Sequence, residues 1–406
     1  MGDSNSVIAR PARKYVMVSL GTLGDLDPLL ALGLTLRERG HRVIVGTAEN
    51  LCWRAKQFGL EAHRLCGDLS GITANPLRGI LVIRNSISEQ LGVLAQISEG
   101  SSAIVGSGFP VAAPTAAAYR GVPYVYTAVS PTFLPESGLL PYLGVPAPAW
   151  VSRLGWSYQE LSNTILFRKA LNAYRSKNGM KPSGPVFREV YQPARRVLAV
   201  PPALAGRAAQ EANLFVSGFL RVPPDGPCPE SVERFLGEGT PPLMIALGSS
   251  RISNVRELVV NLAAAAEKCG LRTLVANSWS NAEIGDMPAS VCRAPAAPYS
   301  LLFERAAVVV HHGGAGTFAA ALGAGKPQVT VPGFADQGFW AQKAFELGVA
   351  PAPVSRSKVT AERALQAVRE VCSNGSYARR AVELRDAGIS NDGAESTAEW
   401  FEASIH

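Results

Sequence analysis

The stretch "AAVVVHHGGAGTFAAALGAGKPQVTVPGFADQ", residues 306–337, gathers residue types that do chemistry. A short β-branched run ends at His311 and His312. A turn follows through Gly313, Gly314, Ala315 and Gly316, and a helix is predicted to begin near Thr317. Glycines let a backbone approach a ligand closely, and the first N–H groups of a helix are unpaired and partly positive. The occupant that suits such a turn is a phosphate, to which His312 can donate a further hydrogen bond. His311 reads as a packing residue. A second strand then leads to Asp336 beside Gln337. Gly314-Ala315-Gly316-Thr317-Phe318-Ala319 also fits the dinucleotide fingerprint G-x-G-x-x-A, with Asp336 20 residues beyond Gly316. An NAD(P)-dependent oxidoreductase would set Asp336 on a ribose, and that chemistry stands as an alternative.

A second acidic group lies near the start, in "GTLGDLDP". Asp25 sits on a predicted strand-to-helix turn, where a carboxylate also makes a good helix N-cap. Asp25 and Asp27 spell D-x-D, a spacing used for metals, but two acids on a turn without further ligands make a poor metal site. No metal is expected. The six cysteines form no CxxC pair and no Cys/His cluster, so free thiols in a reducing cytoplasm are expected.

Elements must hold these groups. "YVMVSL" reads as a buried strand, the leucines from Pro28 as an amphipathic helix closed by Gly40, and "HRVIVGT" as a second strand. That βαβ unit implies a parallel sheet with a right-handed crossover. "SAIVGSG" and "VPYVYTAVS" read as further strands. Residues 131–190 are rich in Pro, Gly and aromatics and predict a wall over the sheet with only short helices. A linker falls at 221–242, after which strand and helix patterns restart with "LMIALGS". The expected fold class is therefore α/β, in two Rossmann-like halves. The assigned segments are an N-terminal domain over 1–222, a C-terminal domain over 223–388, and a last helix within 389–406.

Composition narrows the function. Apolar residues make up 47% and charged residues 17% of the 406, a globular composition. No apolar run is long enough to span a membrane, and the polar start does not read as a secretory signal. Residues 1–222 carry 23 Lys and Arg against 13 Asp and Glu, net +10, while residues 223–406 carry 16 against 19, net −3. The basic residues form no runs and no aromatic interleaving, which argues against nucleic acid as a partner. A basic first half leaves peripheral contact with an anionic membrane as an expectation.

The segment 306–351, and "GTLGDLDPLLALGLTLRERGHRV" with it, closely resemble the UDP-glycosyltransferase family, in particular the bacterial and sterol-type members that glycosylate macrolides, glycopeptides and sterols. The resemblance implies the GT-B architecture, two facing Rossmann-like domains with the acceptor on the first and the nucleotide sugar mainly on the second. It implies that Asp25 is the general base of an inverting transfer. It also implies that Ser249, His312, Gly313, Gly314, Ala315, Gly316 and Thr317 lie at the diphosphate and that Gly24 belongs to the donor site. By the same resemblance Asp336 and Gln337 grip sugar hydroxyls, and Arg293 lies beside the nucleobase. Three positions depart from the family: Leu23 replaces an arginine, Ala320 stands where a ribose-binding glutamate is common, and Tyr299 and Ser300 replace a more polar pair. The donor is therefore left open between UDP and dTDP, with glucose the first expectation for the sugar. Nucleotide sugar is a substrate here, and no cofactor is expected.

No motif names the acceptor. Phe133, Leu134, Tyr142 and Trp156, with Trp150 and Tyr158, are assigned to an apolar lining for a hydrophobic small molecule or lipid. Arg153, Arg168, Lys169, Arg175 and Lys177 nearby carry the membrane expectation. A non-catalytic GT-B homologue serving as a partner or activator is the remaining alternative.

Overall fold

The computed structural model describes residues 11–72, 75–224, 226–248, 255–276, 287, 290–294, 298–333, 335–354 and 359–405. Ser249 lies outside the described residues. Short apolar runs with β-branched residues form strands buried on both faces, as a parallel sheet covered by helices requires. The first sheet holds β1 (Lys14–Leu20), β2 (Arg42–Ala48), β3 (Glu61–Cys66), β4 (Ala103–Gly108), β5 (Tyr124–Ala128), β6 (Arg195–Leu198) and β7 (Leu214–Val216). Their spatial order is β3-β2-β1-β4-β5-β6-β7, all parallel. The second sheet holds β8 (Leu243–Ala246), β9 (Thr273–Val275), β10 (Val291–Arg293), β11 (Val308–His311) and β12 (Gln328–Thr330), in the order β10-β9-β8-β11-β12.

Strand order reverses between β1 and β4 in the first sheet and between β8 and β11 in the second. In open α/β sheets these switch points open crevices at the carboxyl ends of the strands, because neighbouring connections leave to opposite faces there. Asp25 follows β1, and the histidine–glycine turn follows β11. Each half of the expected chemistry thus stands at the switch point of its own sheet.

Two local expectations are corrected. The first helix spans Leu23–Glu38, not from Pro28, and its N-cap is Thr22, not Asp25. Pro28 is the sixth residue of that helix and withholds the N–H that would bond the Gly24 carbonyl. The wall segment does not hold only short helices: Ala149–Lys177 is one helix of 29 residues. Five of its seven prolines precede residue 149 and the other two, Pro182 and Pro185, follow the helix, which holds only Gly155 of the segment's glycines, so 149–177 is free to propagate.

The terminal helix, Ala394–Ser404, lies against the first helix. Phe401 is fully buried in one core with Tyr15, Leu26 and Leu29. Glu402 accepts from two Arg39 nitrogens, Nε at 2.9 Å and Nη2 at 2.8 Å, while Nη1 donates to Glu395 at 3.0 Å, and Glu402 sits 3.0 Å from His41 Nε2. Those bonds hold the Glu402 carboxyl well down, at about 2. Beneath the cleft, Phe219 joins Phe318 and Trp340 in an aromatic cluster, and a further core continues from the first sheet into residues of the second half.

Candidate active site

Between the sheets lies a cavity of about 1430 Å³. Sites for one small ligand run to roughly 300–1,000 Å³, so this cleft has room for two substrates together. Its floor on one side is the β1–helix turn and on the other the β11–helix turn.

Asp25 occupies position N3 of the first helix, where it closes a capping box. Its Oδ2 accepts the Thr22 N–H at 2.8 Å and the Thr22 hydroxyl at 3.1 Å, and Thr22 Oγ1 accepts the Gly24 N–H at 3.2 Å. Two glycines make room for it. A Cβ on Gly21 would come within 2.3 Å of Asp25 Oδ2. One on Gly108, at φ +69°, would stand 2.5 Å from the Leu20 carbonyl and 3.2 Å from Asp25 Cβ. The carboxylate is therefore held in one place by backbone and reaches the cavity. Burial raises its pKa, and the Thr22 bonds pull partly the other way.

Asp27 does not share this role. Arg54 binds both its oxygens, at 3.0 and 3.1 Å. Asp25 and Asp27 thus serve separate partners, and no group of three or more His, Cys, Asp or Glu able to hold a metal ion occurs among the described residues.

Across the cleft, the helix Ala315–Gly323 starts at Gly314 with no side-chain cap. Its opening residues, Ala315, Gly316 and Thr317, line the cavity with Gly314 and beside His312. The His312 ring lies between two glycines. A Cβ on Gly314 would approach its Nε2 to 2.4 Å, and one on Gly248, at φ +72°, would approach Cε1 to 2.9 Å. Gly313, at φ +81°, does not line the cavity; a Cβ there would strike the Gln337 carbonyl at 2.4 Å, so its role is to let the turn close over the next element.

His311 is fully buried behind this turn. Its Nε2 is 2.8 Å from Gln328 Oε1, and its Nδ1 accepts the Gly313 N–H at 3.1 Å. Those partners require the proton on Nε2, and burial lowers the pKa to about 4. A neutral His311 thus holds the His312–Gly314 turn from behind.

Asp336 caps the helix Gln337–Glu346, after Ala335 at φ +52°. Its Oδ2 accepts from Trp340 Nε1 at 3.0 Å, and Gln337 Oε1 accepts the Gly333 N–H at 2.9 Å. Burial, with the charge of Asp25 opposite, raises Asp336 to about 7. Both carboxylate residues line the one cleft, Asp25 from the first half of the chain and Asp336 from the second. Arg293 ends β10 and does not line the cavity; Ala276, Ala294, Pro298 and Tyr299 do, with Tyr299 donating to the Ala276 carbonyl at 3.0 Å.

The acceptor lining is corrected in part. Phe133 and Tyr142 reach the cavity. Leu134 is fully buried in the core, and Trp156 packs on Phe187 with its N–H on the Leu139 carbonyl at 3.1 Å, so neither does. Trp150 and Tyr158 point outward, 62% and 68% exposed. The residues that replace them were missed by sequence reasoning: Tyr126, Tyr191, Phe109, Ile80, Leu166 and Phe167. Only Gly108, in "GSG" at the end of a predicted strand, signalled that β4 also opens onto the site.

Comparison with known proteins fits this geometry. Residues 15–146 match the glycosyltransferase family 28 N-terminal domain, and residues 266–401 match the erythromycin biosynthesis protein CIII-like C-terminal domain. The chain is 30% identical to the O-mycaminosyltylonolide 6-deoxyallosyltransferase of Streptomyces fradiae, covering 96% of this chain and 98% of that one. It is 27% identical to the vancomycin aglycone glucosyltransferase of Amycolatopsis orientalis, over 83% and 84% of the two chains. Among solved structures it resembles the glycotransferase of kitacinnamycin, with a TM-score of 0.74, 20% identity and 98% and 100% coverage. It also resembles the spinosyn rhamnosyltransferase SpnG complexed with thymidine diphosphate, at 0.68, 17%, and 96% and 100%. The oxidoreductase and non-catalytic alternatives gain no support from these likenesses. A fold of two facing parallel sheets, matched along nearly its whole length by sugar-transferring relatives, places this chain in the UDP-glycosyltransferase family of GT-B glycosyltransferases, in the branch related to macrolide, glycopeptide and sterol enzymes.

Proposed function

We propose that the protein transfers a hexose, with inversion, from a nucleoside diphosphate to a hydroxyl of a bulky apolar natural product or sterol. The observation that carries this reading is the facing of Asp25 and the uncapped helix Ala315–Gly323 across one cavity. The acceptor oxygen attacks the anomeric carbon, its proton passes to Asp25, and the bond from that carbon to the diphosphate oxygen breaks on the opposite face. The electron pair leaves with the diphosphate. A carboxylate whose pKa is raised by burial is a stronger base for this step than an ordinary one.

The growing charge on the leaving group meets the helix N–H groups and His312, which supply fixed dipoles without reorganisation. This reading needs no metal, since the helix end supplies positive potential where other enzymes use a cation. Asp336 and Gln337 receive sugar hydroxyls. The acceptor lies against Tyr126, Tyr142, Tyr191 and Phe133, a lining whose apolar surface suits a polyketide or sterol frame. The thymidine diphosphate held by the spinosyn enzyme and the deoxysugar named for the Streptomyces fradiae relative favour a dTDP-deoxyhexose over UDP-glucose.

Asp25→Asn tests the assignment without disturbing the fold, because the amide oxygen still accepts the Thr22 N–H. Transfer is expected to fall about 10²–10⁴-fold with nucleotide affinity unchanged in calorimetry. Normal turnover by this variant would remove Asp25 from the mechanism. Parallel titrations with dTDP and UDP decide the base, and equal affinity for both would refute the dTDP preference.

A further inference from the structure

The helix Ala149–Lys177 is apolar on the face that it should show to water. Its inner face buries Trp156, Phe167 and Leu171. Its outer face carries Trp150, Leu154, Tyr158, Leu161 and Ile165, between 59% and 69% exposed. At about 100° per residue these five fall within an arc of about 80° and run for about 22 Å. No charged residue interrupts the arc between Trp150 and Ile165. A helix that is apolar all round belongs in a buried setting.

The spacing says what covers it. Reflection about the midpoint between Ser157 and Tyr158 exchanges Trp150 with Ile165 and Leu154 with Leu161. A stripe with that symmetry is complementary to itself run backwards, which is the requirement of a two-fold interface. We propose that two copies of this chain pair through antiparallel packing of these helices, with Tyr158 near the axis.

Size and charge agree with a second copy. Five side chains so exposed present on the order of 600 Å² of apolar surface, at the top of the range for a monomer's largest patch. The helix Pro76–Asn85, tied alongside by the Arg84 Nε bond to the Leu166 carbonyl at 3.0 Å, adds exposed Leu77 and Leu81. The total approaches the ~800 Å² per partner of a standard interface. Arg168 and Lys169 continue the same face beyond Ile165. Antiparallel pairing sets the two basic ends roughly 30 Å apart, well beyond the ~8 Å screening length, and brings each towards the indole of Trp150 on the other copy. Parallel pairing would press them together.

The interface bears on the cleft. Gln159, Ser162, Asn163, Leu166 and Phe167 of the same helix line the acceptor end of the cavity. Pairing therefore steadies one wall of the acceptor site, a consequence that rests on the proposed function.

Sedimentation of the full chain between about 1 and 100 µM tests the pairing itself, whatever the activity. The expected result is a dimer that becomes at least 100-fold weaker in the double variant Leu154→Lys, Leu161→Lys, with melting temperature and nucleotide affinity preserved. In a Cys372→Ser background, Tyr158→Cys should cross-link to itself on oxidation, and Leu154→Cys should cross-link with Leu161→Cys far faster than with itself. A wild-type chain monomeric at 100 µM would overturn the proposal. So would a double variant that stays dimeric, or a monomer that instead co-sediments with phosphatidylglycerol vesicles. If pairing holds, the acceptor KM should rise at least threefold in the monomeric variant with nucleotide affinity unmoved; an unchanged KM would refute only the link to the cleft.

Discussion

Asp336 should cost the fold stability that its removal restores, and the size of the effect can be worked out from its surroundings. Its carboxyl is raised from 3.8 to about 7, first by burial and then by the charge of Asp25. At 1.36 kcal/mol for each pH unit, ionising it inside the fold costs about 4 kcal/mol. The sign follows from linkage. An acid whose folded pKa is raised destabilises the fold above its unfolded value, and the cost grows until pH passes the folded value. At pH 5 the folded protein still holds the proton, and only the part between 3.8 and 5 is felt. At pH 8 the whole cost is present. Asp336→Asn keeps an oxygen for the Trp340 N–H and carries no charge. Its stability advantage over wild type should therefore widen by about 3 kcal/mol between pH 5 and pH 8. Thermal melts at the two pH values should show a gap that grows by several degrees. Transfer should fall in the same variant, because the role proposed for Asp336 is to receive sugar hydroxyls at a cost in stability. A gap that is equal at both pH values, or that narrows at pH 8, would show that Asp336 is not buried against Asp25 as described. Asp25→Asn gives a second check, because removing that charge should lessen the pH dependence left in wild type.

Two further outcomes follow from particular contacts. Gly314→Ala should lower nucleotide affinity at least about 10-fold in calorimetry while moving the melting temperature little, because φ at 314 is −69° and the nearest conflict is with the His312 ring; unaltered affinity would mean that the ring does not face the donor. Glu402→Gln should cost roughly 3 kcal/mol at pH 7 and speed hydrogen exchange over Ala394–Ser404, because it leaves Arg39 and His41 with no buried carboxylate and Arg39 with only the exposed Glu395. With the Glu402 carboxyl held at about 2, this stabilisation is complete above pH 4.5 and disappears as pH falls towards 2. Unchanged exchange at pH 7 would sink that account.

The sequence by itself determined the parts that local physics controls. Alternation of β-branched runs with amphipathic leucine and alanine stretches specified two parallel sheets. The order His-Gly-Gly-Ala-Gly specified an open helix start, since glycine accommodates φ of +81° at 313 and a bare approach at 314. Asp25 was legible as a turn carboxylate, but its place at N3 under Thr22 was not, because a capping box depends on where the helix begins. The tertiary structure alone decided which aromatic residues meet a substrate. Phe133, Leu134, Trp150, Trp156 and Tyr158 look alike in a sequence. The phase of a 29-residue helix turns Trp156 into the core and Trp150 and Tyr158 out to the surface. The pairing of Asp25 with Asp336 is likewise invisible in the chain, where 311 positions separate them. It exists because each follows the switch point of a different sheet, and only the packing of one sheet's open end against the other's makes a single site of the two.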